Sequence, residues 1–326
     1  MSEIKVNSIK GLNASQAAFA IDDSSGSATA NLTTVNSVTM PHGGSLSNRN
    51  LIINGAMIVS QRGVNFGTLA SAAYTLDRWN VDAGATVQQA SLAVDEISDD
   101  KKLIKAIQME GASTDYFRTK LEDVANFSNQ TLTLSFYAKA ASNTTLTNIH
   151  ARQNFGSGGS SIVDTAFSSS SFSVTTSYTR YTSTVTLPSI SGKTIGTSSH
   201  LEIFMQLPDG VTVYITGVQL EVGQVATDFE HRSFAQELAL CQRYFWNDPA
   251  DTVNFGYYSC RYGNSGSFAN VECPVTMRIA PTATGTRGDG GSYTSITTSP
   301  LRVQYYVSND FTTYVTSASI SADAEL

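Results

Sequence analysis

The sequence predicts an all-β protein of sandwich or jelly-roll type, and three observations predict it. Short segments rich in Thr, Val, Tyr and Phe alternate between apolar and polar positions, the period of a half-buried strand. Turn residues punctuate them about every 8 to 15 residues, as in a sandwich. Nowhere does strand alternate with long helix, which weighs against a parallel α/β sheet. Composition agrees: only 14% of the 326 residues are charged, against about 25% in an ordinary domain. Ser, Thr and Gly fill the gap.

Taken in order, residues 1–50 are poor in large apolar side chains. IKVNSIKGL has the makings of one short strand. The polar, Gly-punctuated stretch after it cannot bury enough surface to fold alone. It is either an arm that orders against another chain or a disordered segment, and the thin spacing of Val6, Ile9, Leu32, Val35 and Val38 favours an arm.

Residues 51–232 repeat the strand pattern. LIINGAMIVSQRG reads as two apolar runs around a turn at Asn54-Gly55. YTLDRWNVDAG, TVQQASLAV and KKLIKAIQME follow. TLTLSFYAKA is the clearest strand, with Leu132, Leu134, Phe136 and Ala138 on one face and Thr131, Thr133, Ser135 and Tyr137 on the other. NTTLTNIHARQNFGSGGS, SFSVTTSYTRYTSTVTLPSI, SHLEIFMQLPDG, VTVYITG and VQLEVG complete the region. In the last of these, Val218, Leu220 and Val222 oppose Gln219 and Glu221.

The period then changes. Phe234, Leu238, Cys241 and Phe245 recur at helical spacing. Ser233 stands as N-cap and Gln236 three places on completes a capping box. Residues 233–246 therefore read as a linking helix, with Leu238, Cys241, Tyr244 and Phe245 as its packing residues. Residues 247–326 read as five or six further strands in a small, Tyr-rich β domain with a thin core, for which oligomerisation is a remedy.

Charge and motifs exclude more than they assign. The net charge is −7 and the pI about 5.1. With no basic cluster beyond Lys101-Lys102…Lys105, nucleic acid is not an expected partner. Cys241, Cys260 and Cys273 are odd in number and lack a C-x-x-C, so they read as buried thiols rather than a disulfide framework or a zinc site. The N-terminus has no apolar signal region, and no apolar run approaches about 18 residues, so membrane insertion is not expected. There is no G-x-S-x-G. Gly192-Lys193-Thr194 fails as a phosphate loop because the leading position, 187, is Leu. His42, His150, His200 and His231 lack metal-ligand spacing; His231, between Glu230 and Arg232, reads as a polar surface or interface group. The adjacent acids Asp22-Asp23, Asp95-Glu96, Asp99-Asp100 and Glu122-Asp123, and Asp248 with Asp251, read as turn acids rather than a glycosidase pair. No catalytic residue, metal or cofactor is expected.

The aromatic residues remain. Trp79 reads as core. In the pairs Tyr257-Tyr258 and Tyr305-Tyr306 one ring of each must face away from the core, which makes these four residues the candidates for glycan or protein contact.

Four stretches resemble a domain recurring in tailed-phage fibre and tail appendage proteins. They are NRNLIINGAMIVSQRG with YTLDRW, TLTLSFYAKA, GVQLEVGQVATDFEHRSFAQELALCQRYF, and VECPVTMRIAPTATGT. The helix segment bearing Glu237, Leu238, Cys241, Gln242, Arg243 and Tyr244 is the most specific. The resemblance implies a carbohydrate-binding-module-like jelly roll over 51–232, a C-terminal β tip, a homotrimer, and anchoring of residues 1–50 to other virion proteins. The expected function is that of a non-enzymatic virion fibre that recognises host surface glycan or protein through its C-terminal domain. An architectural capsid or tail protein and, more remotely, a polysaccharide depolymerase are the alternatives.

Overall fold

The structure, a computed structural model, describes residues 48–248, 260–261, 267–287, 295–307 and 317–326, together with three short strands nearer the N-terminus. It is built almost wholly of antiparallel strands, as the alternation in the sequence requires. Two compact units are present, residues 1–44 and 45–326.

In the first unit, β1 (Ser8–Ile9), β2 (Phe19–Ile21) and β3 (Ala28–Ala30) form a three-stranded sheet in that order. The first strand falls within IKVNSIKGL as expected. The other two arise in a stretch that the sequence read as arm or disorder; the rest of that stretch lies outside the described residues.

The second unit begins with a two-sheet sandwich. Its strands are β4 (Asn65–Thr68), β5 (Ala73–Tyr74), β6 (Asn80–Val81), β7 (Thr86–Ser91), β8 (Lys105–Glu110) and β9 (Tyr116–Glu122). They continue with β10 (Thr131–Ala140), β11 (Thr144–Asn154), β12 (Val163–Ala166), β13 (Phe172–Val174), β14 (Thr179–Thr186), β15 (His200–Gln206) and β16 (Val213–Val222). One sheet runs β14-β10-β16-β8-β7-β4. The other runs β12-β11-β15-β9-β6-β5, with β13 also on β11. The inward residues of β10, namely Leu132, Leu134, Phe136 and Ala138, are fully buried and meet Phe117, Leu201, Ile203 and Met205 of the facing sheet in one apolar core. Burying each large side chain there is worth about 1.5–3 kcal/mol.

The structure corrects two strand expectations. LIINGAMIVSQRG contains no strand; it is an irregular turn segment of buried and half-buried residues, with Asn54 at φ 59°. Its backbone groups bond instead to the edge of β16, through Leu51 N to Leu220 O and Val218 N to Gly55 O, both 2.9 Å. An apolar run that plugs a core has the composition of a strand, so periodicity could not separate the two. VTVYITG and VQLEVG, read as two strands, are the single strand β16.

The outer face of β10 is not solvated either. Ile97 and Leu103 pack with Phe229 over Tyr137 in a satellite cluster. That cover explains Gly217, at φ 59°: a Cβ there would lie 2.9 Å from both Leu103 and Tyr137.

After the sandwich come α1 (Phe234–Gln242) and β17 (Phe245–Asp248), then β18 (Cys260–Arg261), β19 (Ser267–Glu272), β20 (Thr282–Arg287), β21 (Ser295–Ser299), β22 (Arg302–Val307) and β23 (Ser317–Asp323). They make two small sheets, β17-β23-β20 and β18-β19-β22-β21. Their core is thin, as expected: Trp246, Met277, Val303, Tyr305, Ala322 and Ala324. These sheets and the sandwich both lie in the unit spanning residues 45–326.

Candidate functional site

Two places gather side chains of functional interest: the joint between the sandwich and the C-terminal sheets, and the outer face of the seven-stranded sheet.

The joint starts at Asn54. Its left-handed turn directs the side chain inward, where Nδ2 donates to Val59 O and Asp77 O at 2.8 and 2.9 Å and Oδ1 accepts from Val59 N at 3.0 Å. Trp79 Nε1 donates to Asn54 O at 3.0 Å, and the indole stacks on Phe117 at 4.4 Å. Trp79 is thus core, as expected.

Helix α1 docks here by an unexpected face. Ser233 and Gln236 form the capping box that the sequence called for. The buried helix positions, however, are Glu237 and Cys241, while Leu238 is half-buried and Phe234 is 56% exposed. Glu237 accepts from the Asn54 backbone N–H and lies 3.5 Å from Arg232. A polar anchor has taken the place of the expected apolar stripe. Cys241 is an inert thiol, with burial pushing its pKa well above the ordinary value.

Beyond the helix, four arginines fasten the chain. Arg78, only 1% exposed, pairs with Glu325, donates to Lys120 O, and lies 3.4 Å from the centre of the Tyr244 ring. Burial lowers its pKa against the opposing pull of the Tyr244 and Tyr74 phenols. Arg62 sits 3.5 Å over the Phe245 ring and reaches Asp323 and Glu325 at 3.2 and 3.4 Å. Arg243 makes a two-pronged pair with Glu122, both bonds 3.0 Å, and the Tyr244 hydroxyl donates to the same carboxylate. Burial raises the Glu122 pKa, but these bonds outweigh it and the net shift is downward. Gln61 ties the two sides together, donating to Asp77 and to Phe245 O. Arg278 N donates to Arg243 O, and the Arg278 side chain holds the carbonyls of Ala324 and Glu325. A cavity of about 150 Å³ remains among Ile52, Arg78, Lys120, Glu122, Phe127 and Tyr244.

Tyr244 and Phe245 lie in the joint, with Cys241 buried and Leu238 half-buried on the helix before them. The other candidates fare differently. Tyr305 is a core residue, 1% exposed, whose hydroxyl reaches Thr284 O at 3.3 Å; its assignment to ligand contact is corrected, because Val303 and Tyr305 alternate inward on β22. Tyr306 takes the opposite, half-buried face. Tyr257 and Tyr258 lie outside the described residues. Among the described residues no group of three or more His, Cys, Asp or Glu side chains is placed to hold a metal ion, and no helix is long and apolar enough to cross a membrane.

The second place was missed in the sequence. On β15, Leu201, Ile203 and Met205 point into the core, so His200, Glu202 and Phe204 point outward. Phe204 is nonetheless only 6% exposed. Tyr116 of β9 meets it edge-on at 5.4 Å, and His150 of β11 stacks on it at 5.4 Å and 19°. Arg152 lies over the same ring at 4.7 Å. Strand order β11-β15-β9 makes this a row running across three strands. Ion pairs flank it: Arg152 with Asp164 through bonds of 2.7 and 2.9 Å, and Arg118 with Asp82. Glu202 is buried between Arg152, at 3.4 Å, and the neighbouring Lys120 in the ladder. Among the described residues His150 Nδ1 and Arg118 Nε have no hydrogen-bond partner. The available signal was Phe204 itself, an aromatic at the polar phase of HLEIFMQ.

No family model and no curated protein matches the chain. Its fold is similar to that of several solved structures. The CBM22-1 xylan-binding domain of Paenibacillus barcinonensis Xyn10C is 16% identical, covering 49% of this chain and 91% of that one, with a TM-score of 0.33. A putative sugar binding protein from Bacteroides thetaiotaomicron is 13% identical over 53% of this chain and 99% of that one, TM-score 0.36. The enzymatically active domain of bacteriophage CBA120 tailspike protein 4 is 13% identical over 53% of this chain and 21% of that one, TM-score 0.34.

Proposed function

We propose that the chain is a fibre or appendage protein of a tailed-phage virion, that it acts as a homotrimer, and that it engages carbohydrate on the host surface without cutting it. One observation carries this reading. Three of the four segments that resemble the fibre family, spread from residue 48 to residue 286, meet at a single hydrogen-bonded joint. Their shared motif is thus a structural device. It welds two β modules into one rigid head, which suits a protein that transmits attachment rather than turning over substrate.

The non-enzymatic part rests on the acids. Asp95 pairs with Lys101, Glu96 with Lys139, Asp100 with His231 and Glu122 with Arg243. Asp123 caps a short 3-10 turn at Val124–Phe127. Each is spent on structure, whereas a glycosidase needs two carboxyl groups held about 5–10 Å apart and free to act on one bond. A surface rich in hydroxyls and poor in ions also meets sugar without the large desolvation of buried charge. Residues 1–50 serve as the attachment to other virion proteins.

Size-exclusion chromatography with light scattering on the purified chain should give three times its 34.8 kDa. The same protein should be retained on host surface polysaccharide and release no reducing sugar. A monomer that binds no such polysaccharide overturns the reading; released reducing ends move the chain to the depolymerases.

A further inference from the structure

We infer that the outer face of the seven-stranded sheet, centred on Tyr116, Phe204 and His150, is a binding site for a neutral glycan about two sugar rings long. The inference rests on the carbohydrate-binding reading above and names the place and the ligand class.

The length follows from the strands. Tyr116, Phe204 and His150 sit on three neighbouring strands, which at about 4.8 Å spacing span roughly 10 Å. Phe204 forms the floor, and the half-buried rings of Tyr116 and His150 are the parts that a ligand can reach. Aromatic faces offer flat apolar area to the C–H face of a sugar, with a polar tip at the edge.

The class follows from the charges. Five cationic or acidic groups border the row: Arg118 with Asp82, Arg152 with Asp164, and the buried Glu202. With Lys120 beside Glu202 these six groups are three cations and three anions, so the charges that border the row balance. The two-pronged bond to Arg152 holds the Asp164 carboxyl below its usual range, which keeps that pair ionised and satisfied. An anionic sugar would have to displace a carboxylate already in place. A hydroxyl both donates and accepts, so it can bridge the N–H groups that a guanidinium has left and the lone pairs that its partner carboxylate has left. Arg152 and Asp164 remain accessible enough for this, with side chains 27% and 37% exposed.

Two other apolar places among the described residues are already covered or hemmed in. Around Tyr137 the outer face of the six-stranded sheet is covered by Ile97, Leu103 and Phe229, and the cavity at the joint is hemmed in by Arg78, Glu122 and Tyr244.

The test is an array of neutral gluco-, manno-, galacto- and xylo-oligosaccharides beside uronate and sulfated chains, probed with the full chain at 0.15 M and 1 M salt. The expected result is binding to neutral chains that salt leaves unchanged. Tyr116→Ala and His150→Ala each lower it at least tenfold while far-ultraviolet dichroism shows the fold kept. Asp164→Asn frees a cationic prong and raises the response to uronate. Wild-type preference for uronate that vanishes at 1 M salt overturns the neutral class. Neutral binding that both alanine variants retain overturns the site but leaves the carbohydrate reading standing. An array with no bound sugar overturns both.

Discussion

Replacing Arg78 with Met tests the joint most sharply. The guanidinium is 1% exposed, and its loss would remove three interactions at once: the pair with Glu325, the bond to the Lys120 carbonyl, and the contact with the Tyr244 ring. Removing one partner of a buried pair costs about 3–5 kcal/mol, because the other charge stays buried without it. Glu325 keeps Arg62 at 3.4 Å, which places the expected loss near the lower end, about 3 kcal/mol. Glu325→Gln alone should cost about 3 kcal/mol as well, since it leaves the Arg78 guanidinium buried without its carboxylate while the amide oxygen still accepts. The double variant should then be less destabilised than the sum of the two by about 1 kcal/mol or more. Urea unfolding of the four proteins measures all three quantities. Single variants that each lose under about 1 kcal/mol and add without coupling would refute the reasoning, because contacts that matter to one another do not add.

Three further outcomes follow from the same geometry. Glu237→Ala should cost about 1–3 kcal/mol by orphaning the buried Asn54 N–H, while Phe234→Ser, on the exposed side of α1, should change stability by under about 0.5 kcal/mol; urea midpoints that rank them the other way would restore the apolar-stripe reading. Gly217→Ala should lose at least about 2 kcal/mol, combining backbone strain at positive φ with contacts at 2.9 Å; a stabilised variant would contradict the cover that Leu103 makes over Tyr137. The Tyr244 phenol is pushed up to about 12 from 10.0 by burial. A raised pKa contributes stability that is fully present below pH 10.0 and is lost as pH rises through about 12, so Tyr244→Phe should show a shallower alkaline decline in thermal midpoint than the wild type.

Much of the fold was readable along the chain. Leu132, Leu134, Phe136 and Ala138 all face the core, as their alternation requires, and the capping box at Ser233 and Gln236 forms. Local rules sufficed there because each residue answers to its own neighbours. They failed where a residue answers to distant ones. Asn54 looked like a hairpin turn, yet its side chain is a buried hub for Val59, Asp77 and Trp79. Glu237 was not among the packing residues that helical spacing picked out, yet it bonds across 183 positions to Asn54. Tyr305 and Tyr306 could not be told apart until the direction of β22 was known. The row of Tyr116, His150 and Phe204 was out of reach for the same reason. Each lies in a different segment, and only the ladder order of β9, β15 and β11 brings them together.

The central claim is that the motif segments weld the sandwich and the C-terminal sheets into one unit, and the chain carries its own probes for it. It has two tryptophans: Trp79 lies in the sandwich core and Trp246 in the C-terminal core. Single-tryptophan proteins, Trp246→Phe and Trp79→Phe, can therefore report each side by fluorescence during urea unfolding. A welded unit predicts that the Trp79 and Trp246 transitions shift together, each single-tryptophan fluorescence curve coinciding with the far-ultraviolet dichroism curve of the same protein. A Trp246 transition that is complete while the dichroism of the sandwich strands is still native would contradict it.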